Sequence, residues 1–143
     1  MKPERKPAAF DTSVVVAALL RDKTLLSQLE PVLQSVKDGR RPGLMSFVNA
    51  TEVQYVAAEV FSRMGQDVFD ILKELRIEVG GVNKAQALLA ADAKRKVPDL
   101  SLGDAFAFSL AAMRDARLFT SDPGFDHPWI RARTAVTLLR RAR

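Results

Sequence analysis

The chain contains no cysteine. Disulfides, thiolate metal sites and a cysteine nucleophile are therefore excluded. Its one histidine is His127, so a histidine-rich zinc site is excluded as well. No apolar run reaches the length needed to span a bilayer, and residues 1–6 lack a following signal-peptide core. The expected address is the cytoplasm, with no membrane partner. Repeats, low-complexity tracts and a domain linker are all missing.

What is present reads as one ordinary globular domain. The 143 residues are 48% hydrophobic and 27% charged, with a formal net charge of +5. That length gives room for a proper core. The charge tolerates a polyanionic partner such as nucleic acid without proving one. Residues 1–7 form a short basic tail and residues 140–143 a second one, so a single domain spans 1–143.

Short apolar strands alternate with helical patterns along this domain. Strands are expected at 8–10, 44–46, 77–79, 118–120 and 135–139. A turn at 11–13 precedes a first helix. Apolar spacing predicts a second helix over 24–36, kinked or broken at Pro31. The clearest helix spans 49–64: Val53, Val56, Ala57, Val60, Phe61 and Met64 share one face, Asn49 is a good N-cap and Gly65 a good stop. Further helices are expected at 66–75 and 83–96. This alternation implies an α/β fold with a parallel sheet covered on both faces.

The most telling stretch is 100–113, which has helix length and is apolar on nearly every side. Asp104 is the only charged residue between Asp99 and Arg114. A helix of this kind is buried, and a carboxylate in it needs a partner. Two readings compete. Ser101 as N-cap and Asp104 at N3 would form a capping box. Alternatively, Asp104 shares a metal ion with other acids.

Those other acids sit where a parallel sheet places its ligands, beyond the carboxyl ends of the strands. Asp11 follows the first strand, Glu52 lies soon after the second, and Asp122 follows the fourth. Each again has a plain alternative. Asp11 could cap the first helix, Asn49 and Glu52 could form a capping pair, and Asp122 before Pro123 looks like an N-cap. Glu59 competes with Glu52 but lies roughly 10 Å further along the helix. Four carboxylates in one cleft would repel unless a cation sat between them. Oxygen donors alone favour magnesium or manganese, which can activate water and stabilise a phosphoryl transition state.

Four segments, Phe10-Asp11-Thr12-Ser13, Ser46 with Glu52, Ser101-Leu102-Gly103-Asp104-Ala105, and Thr120-Ser121-Asp122-Pro123-Gly124-Phe125, resemble the successive motifs of the PIN-domain nucleases. The nearest resemblance is to the small VapC-type toxin ribonucleases of type II toxin–antitoxin pairs, over about residues 8–139. It implies a PIN-like three-layer fold with a central parallel sheet of five strands. It also implies that Asp104 points into the acidic site, with Asp11, Glu52, Asp104 and Asp122 as catalytic residues and Asp11 and Asp104 as metal ligands. The implied activity is Mg2+- or Mn2+-dependent hydrolysis of RNA. The implied partners are an RNA substrate, a cognate antitoxin laid over the cleft and a second copy of the chain in a homodimer. Three features depart from the pattern: the basic segment before Ala8 is longer than usual, the turn Met113-Arg114-Asp115-Ala116 lacks a glycine, and His127-Pro128-Trp129 matches no motif. Readings that remain beside this one are a non-catalytic α/β binding or adaptor domain, and a PIN-type nuclease acting on DNA or in rRNA processing.

Overall fold

Side chains alternate across the sheet, and the alternation sorts the core into two layers. Phe10, Met45, Ile77 and Phe119 face one side, while Ala9, Leu44, Leu118 and Val136 face the other. A computed structural model describes residues 6–141. Its strands are β1 (Ala8–Phe10), β2 (Gly43–Ser46), β3 (Ile77–Gly80), β4 (Arg117–Thr120) and β5 (Ala135–Leu138). They form one sheet in the order β3-β2-β1-β4-β5, parallel throughout.

The first layer of helices contains α1 (Thr12–Leu19), α2 (Lys23–Lys37), α3 (Phe47–Val56), α4 (Ala58–Met64) and α5 (Val68–Glu74). The second contains α6 (Lys84–Lys96), α7 (Leu102–Met113) and the single turn α8 (Pro128–Arg131). The three-layer α/β architecture expected from the sequence is therefore present. Helix α7 is buried along most of its length, from Gly103 through Ala111, as its all-round apolar character requires. Among the described residues no helix is long and apolar enough to cross a membrane.

Three local expectations need correction. The helix expected to start at Asn49 starts at Phe47, because Ser46 at the very end of β2 takes the cap and accepts from the Asn49 N–H (3.0 Å). That helix is also not continuous to Met64. It breaks at Ala57, where the backbone leaves helical values (φ −105°, ψ 26°) before α4 begins. Pro31 does not break α2, which runs through it. Leu25, Leu29 and Val36 are buried on one face and clamp the helix on both sides of the proline, whose own position is exposed. The missing glycine before β4 also finds an explanation. Asp115 itself adopts the left-handed conformation (φ 47°) that a glycine would supply at no steric cost.

Strand order fixes where a ligand can sit. From β1 the chain moves outward through β2 to β3, and it returns on the other side of β1 through β4 to β5. The switch point lies between β1 and β4. The crevice beyond their carboxyl ends is where an open α/β sheet binds ligands.

Candidate functional site

Asp11 leaves β1 into that crevice. It is 1% exposed and caps α1, with Oδ1 accepting from Val14 N–H (3.2 Å) and from Ser13 Oγ (2.7 Å). Its Oδ2 accepts from Thr120 Oγ at the end of β4. Thr120 in turn accepts from the Asp122 N–H (2.9 Å). The strands on both sides of the switch point are thus tied to one carboxylate.

Asp122 caps the short 3-10 turn Pro123–Phe125 through Gly124 N–H (2.8 Å). Asp104 stands at N3 of α7 in a complete capping box with Ser101. The Asp104 N–H donates to Ser101 Oγ (3.0 Å), and Asp104 Oδ2 accepts from Ser101 N–H (3.3 Å). Its Oδ1 takes no part in the box. Glu52 sits in the second turn of α3 rather than the first, since the helix starts earlier than expected. Its Oε1 accepts from Thr12 Oγ (2.6 Å) and Asn49 Nδ2 (3.2 Å).

All four acids line one cleft of about 370 Å³, together with Thr12, Ser13, Ser121 and Arg141. Glu59 does not line it and faces a separate groove beside Leu20 and Tyr55. The capping readings and the clustering are therefore both true. Asp11, Asp104 and Asp122 each cap a helix or turn, and the same three side chains share the cleft with Glu52. Trp129 does not line it. It packs on Phe108 (5.4 Å between ring centres) beneath the Arg133 guanidinium.

Asn49, read from the sequence only as a cap, is the hub of the site. It is fully buried, accepts from Ser46 Oγ, and its amide reaches Thr12 Oγ (3.1 Å), Glu52 Oε1 and the Gly103 carbonyl (3.1 Å). It joins α1, α3 and α7 in one network. α7 approaches closely here: a Cβ at Gly103 would lie 2.6 Å from Glu52 Cδ, so any larger residue would push the Glu52 carboxylate aside.

The electrostatics are those of an uncompensated acid cluster. Among the described residues none of the four acids is ion-paired. Burial first and the Asp122 carboxylate second push the Asp104 carboxyl up to about 7. Burial also raises Asp11, against the pull of its hydrogen bonds from Thr120, Ser13 and Val14. Among the described residues no three acids form a ready-made metal cage. The donor set nonetheless fits a hard divalent cation, because it is all oxygen, it lines one cleft and its charge is unmatched.

A pH dependence follows. Asp104 has a folded-state pKa of about 7 against 3.8 for the unstructured side chain. Below the lower value it is protonated in both states and costs nothing. As pH rises between the two values the unfolded chain ionises first, so stability is lost through that window and is constant above it. The metal-free protein is expected to melt at falling temperature as pH rises from about 4 to about 7, with a shallower fall in Asp104→Asn. Thermal unfolding of both proteins across that range checks this, and parallel curves would refute it.

Fold and site together define a three-layer α/β protein with an acidic cleft at the switch point of its sheet. The family model described as "PIN domain" matches residues 8–128, and the chain belongs to the PIN domain family. Among solved structures it resembles a toxin–antitoxin complex from Klebsiella pneumoniae (16% identity, TM-score 0.68, covering 94% of this chain and 99% of that one). It also resembles VapBC2 from Rickettsia felis bound to a promoter DNA fragment (15%, TM-score 0.67, 92% and 98%) and VapBC-1 from nontypeable Haemophilus influenzae (14%, TM-score 0.60, 93% and 98%). At these identities the likeness is one of fold. No curated protein matches the chain in sequence.

Proposed function

We propose that the chain is a divalent-cation-dependent endoribonuclease, acting as the toxin of a type II toxin–antitoxin pair. The observation that carries this reading is the unneutralised cleft in which Asp104 and Asp122 face each other beside Asp11 and Glu52. Capping alone gives no reason for four acids to share one crevice, which disfavours a purely non-catalytic adaptor.

Asp11 and Asp104 would hold a magnesium or manganese ion, directly or through water, with Glu52 and Asp122 completing the pocket. When bound, such an ion supplies Lewis acidity and positive charge against a phosphodiester. The chain's own residues do the rest. Thr120 and Ser13 fix both oxygens of Asp11, so that carboxylate cannot swing away. Thr12 and Asn49 hold Glu52 against α7. Asp122 sits on a turn and is the candidate to orient or deprotonate the attacking water.

The neighbouring structure named as a toxin–antitoxin complex supports an antitoxin partner. So does exposed apolar surface beside the cleft: Val56 is 55% exposed at its wall, next to Leu20 at 57% and Tyr55 at 66%. The homodimer is proposed on the same surplus, including the touching and exposed Phe47 and Phe69.

Substrate class is tested by incubating the purified protein with single-stranded RNA and with DNA of the same sequence, with manganese or with a chelator. RNA cut only with metal is expected. Cleavage that persists in chelator, or DNA cut faster than RNA, would overturn the assignment.

A further inference from the structure

In the sequence Arg140 and Arg141 form one basic pair, open to binding phosphates, to binding an acidic partner or to being a solvated surface, and the structure separates the two residues. Past β5, Leu139 N–H donates to the Thr120 carbonyl (2.7 Å) and extends the β4–β5 pairing. Gln28 of α2 then pins the next residue from both sides. Its Nε2 donates to the Arg140 carbonyl (2.8 Å), and its Oε1 accepts from the Arg140 N–H (2.9 Å). The chain therefore arrives at Arg141 on a fixed course, and Arg141 lines the acidic cleft.

There its guanidinium donates from Nη2 to Ser121 Oγ (2.9 Å) and from Nε to the Ser121 carbonyl (3.4 Å). Among the described residues it is the only Arg or Lys lining the cleft, yet it ion-pairs with none of the four acids. A cation present merely to neutralise carboxylates would sit on one. This one is held at the rim by a neutral partner. A guanidinium carries five N–H donors, and the two that Ser121 engages leave three for another acceptor. Planar, permanently charged and pre-positioned, such a fork suits a phosphate oxygen.

We propose that Arg141 is a phosphate-binding residue, gripping a phosphodiester of the substrate strand at the rim of the acidic cleft, with Gln28 as the residue that positions it. The proposal rests on the nuclease reading above. It resolves a difficulty of that reading, since four acids would otherwise repel a polyanion from the cleft it must enter.

The test is equilibrium binding of a short single-stranded RNA, in calcium at fixed concentration, across a salt series. Each phosphate contact contributes about 0.7 to the slope of log K against log salt for a single strand. Arg141→Gln is expected to bind roughly tenfold more weakly, with a slope shallower by about 0.7. Gln28→Ala, which keeps the arginine but frees its backbone, is expected to weaken binding less. Arg133→Gln, which removes a cation over Trp129 away from the cleft, should leave affinity within about twofold. If the parent binds RNA and Arg141→Gln binds with unchanged affinity and slope, the proposal is overturned and the nuclease reading stands. If Arg141→Gln instead melts lower in metal-free buffer while binding normally, Arg141 is a counterion and the proposal also fails. A parent protein that does not bind the RNA at any salt concentration removes both readings together.

Discussion

Replacing Asp104 by Asn is expected to lower RNA cleavage by more than about 100-fold while leaving the fold intact, since even groups behind a metal's direct ligands contribute roughly 10–100-fold. The capping box needs only a side-chain acceptor at N3, and asparagine supplies one in its amide oxygen. Its side-chain oxygen can still accept from the Ser101 N–H, and its backbone N–H can still donate to Ser101 Oγ. What it removes is the negative charge facing Asp122. In metal-free buffer at neutral pH that removal relieves a repulsion, so the variant should melt at or above the parental temperature. If the acids were only caps, the pattern would reverse, with activity kept and a small loss of stability. Single-turnover cleavage and thermal unfolding on the same preparation distinguish the two. A variant cutting RNA at the parental rate in magnesium rules out the mechanism.

Asn49→Ala is expected to be the most damaging change at a residue that is not itself an acid. The side chain is fully buried and bonds to Ser46, Thr12, Glu52 and the Gly103 carbonyl. Truncation leaves the buried Ser46 O–H without an acceptor, at about 1–3 kcal/mol for one unsatisfied group, and removes the side-chain bond to the Gly103 carbonyl, which keeps its place in the α7 ladder. A loss of about 1–3 kcal/mol in denaturant-measured stability follows. Glu52 keeps its bond from Thr12 but loses the one from Asn49, so cleavage should fall about 10–100-fold even where the variant is fully folded. Equal stability in parent and variant would show that the network does not tie α1, α3 and α7 together.

The contrast between Asp104 and Asn49 shows what the sequence makes legible. Acids that follow strands can be placed by rule, because the carboxyl edge of a parallel sheet is one surface. Asp11 and Asp122 are placed that way, and Glu52 is favoured over Glu59 by height along its helix alone. The structure brings the favoured one into the cleft and leaves Glu59 outside. Asn49 is misread because the link from β2 to α3 has no intervening residue. Ser46 ends the strand and caps the helix at once, which shifts Asn49 from cap to interior. The break at Ala57 is hidden because the apolar spacing passes through it in phase. Only the outcome differs, with Phe61 buried while Val56 and Met64 are exposed. Helix α8 is a single turn, too short for any periodicity, and starts from Pro128 behind a His127 cap. Arg141 depends on where the chain goes after β5, and its contact with Ser121 spans twenty residues. No local pattern encodes that return.

Asp11, Glu52, Asp104 and Asp122 are proposed to hold a divalent cation together. Crystals soaked in manganese and measured at its absorption edge test this most directly. An anomalous peak is expected in the cleft between Asp11 and Asp104, bonded to them directly or through water, with Glu52 and Asp122 around it. A peak elsewhere, or these four carboxyls dispersed, would contradict it.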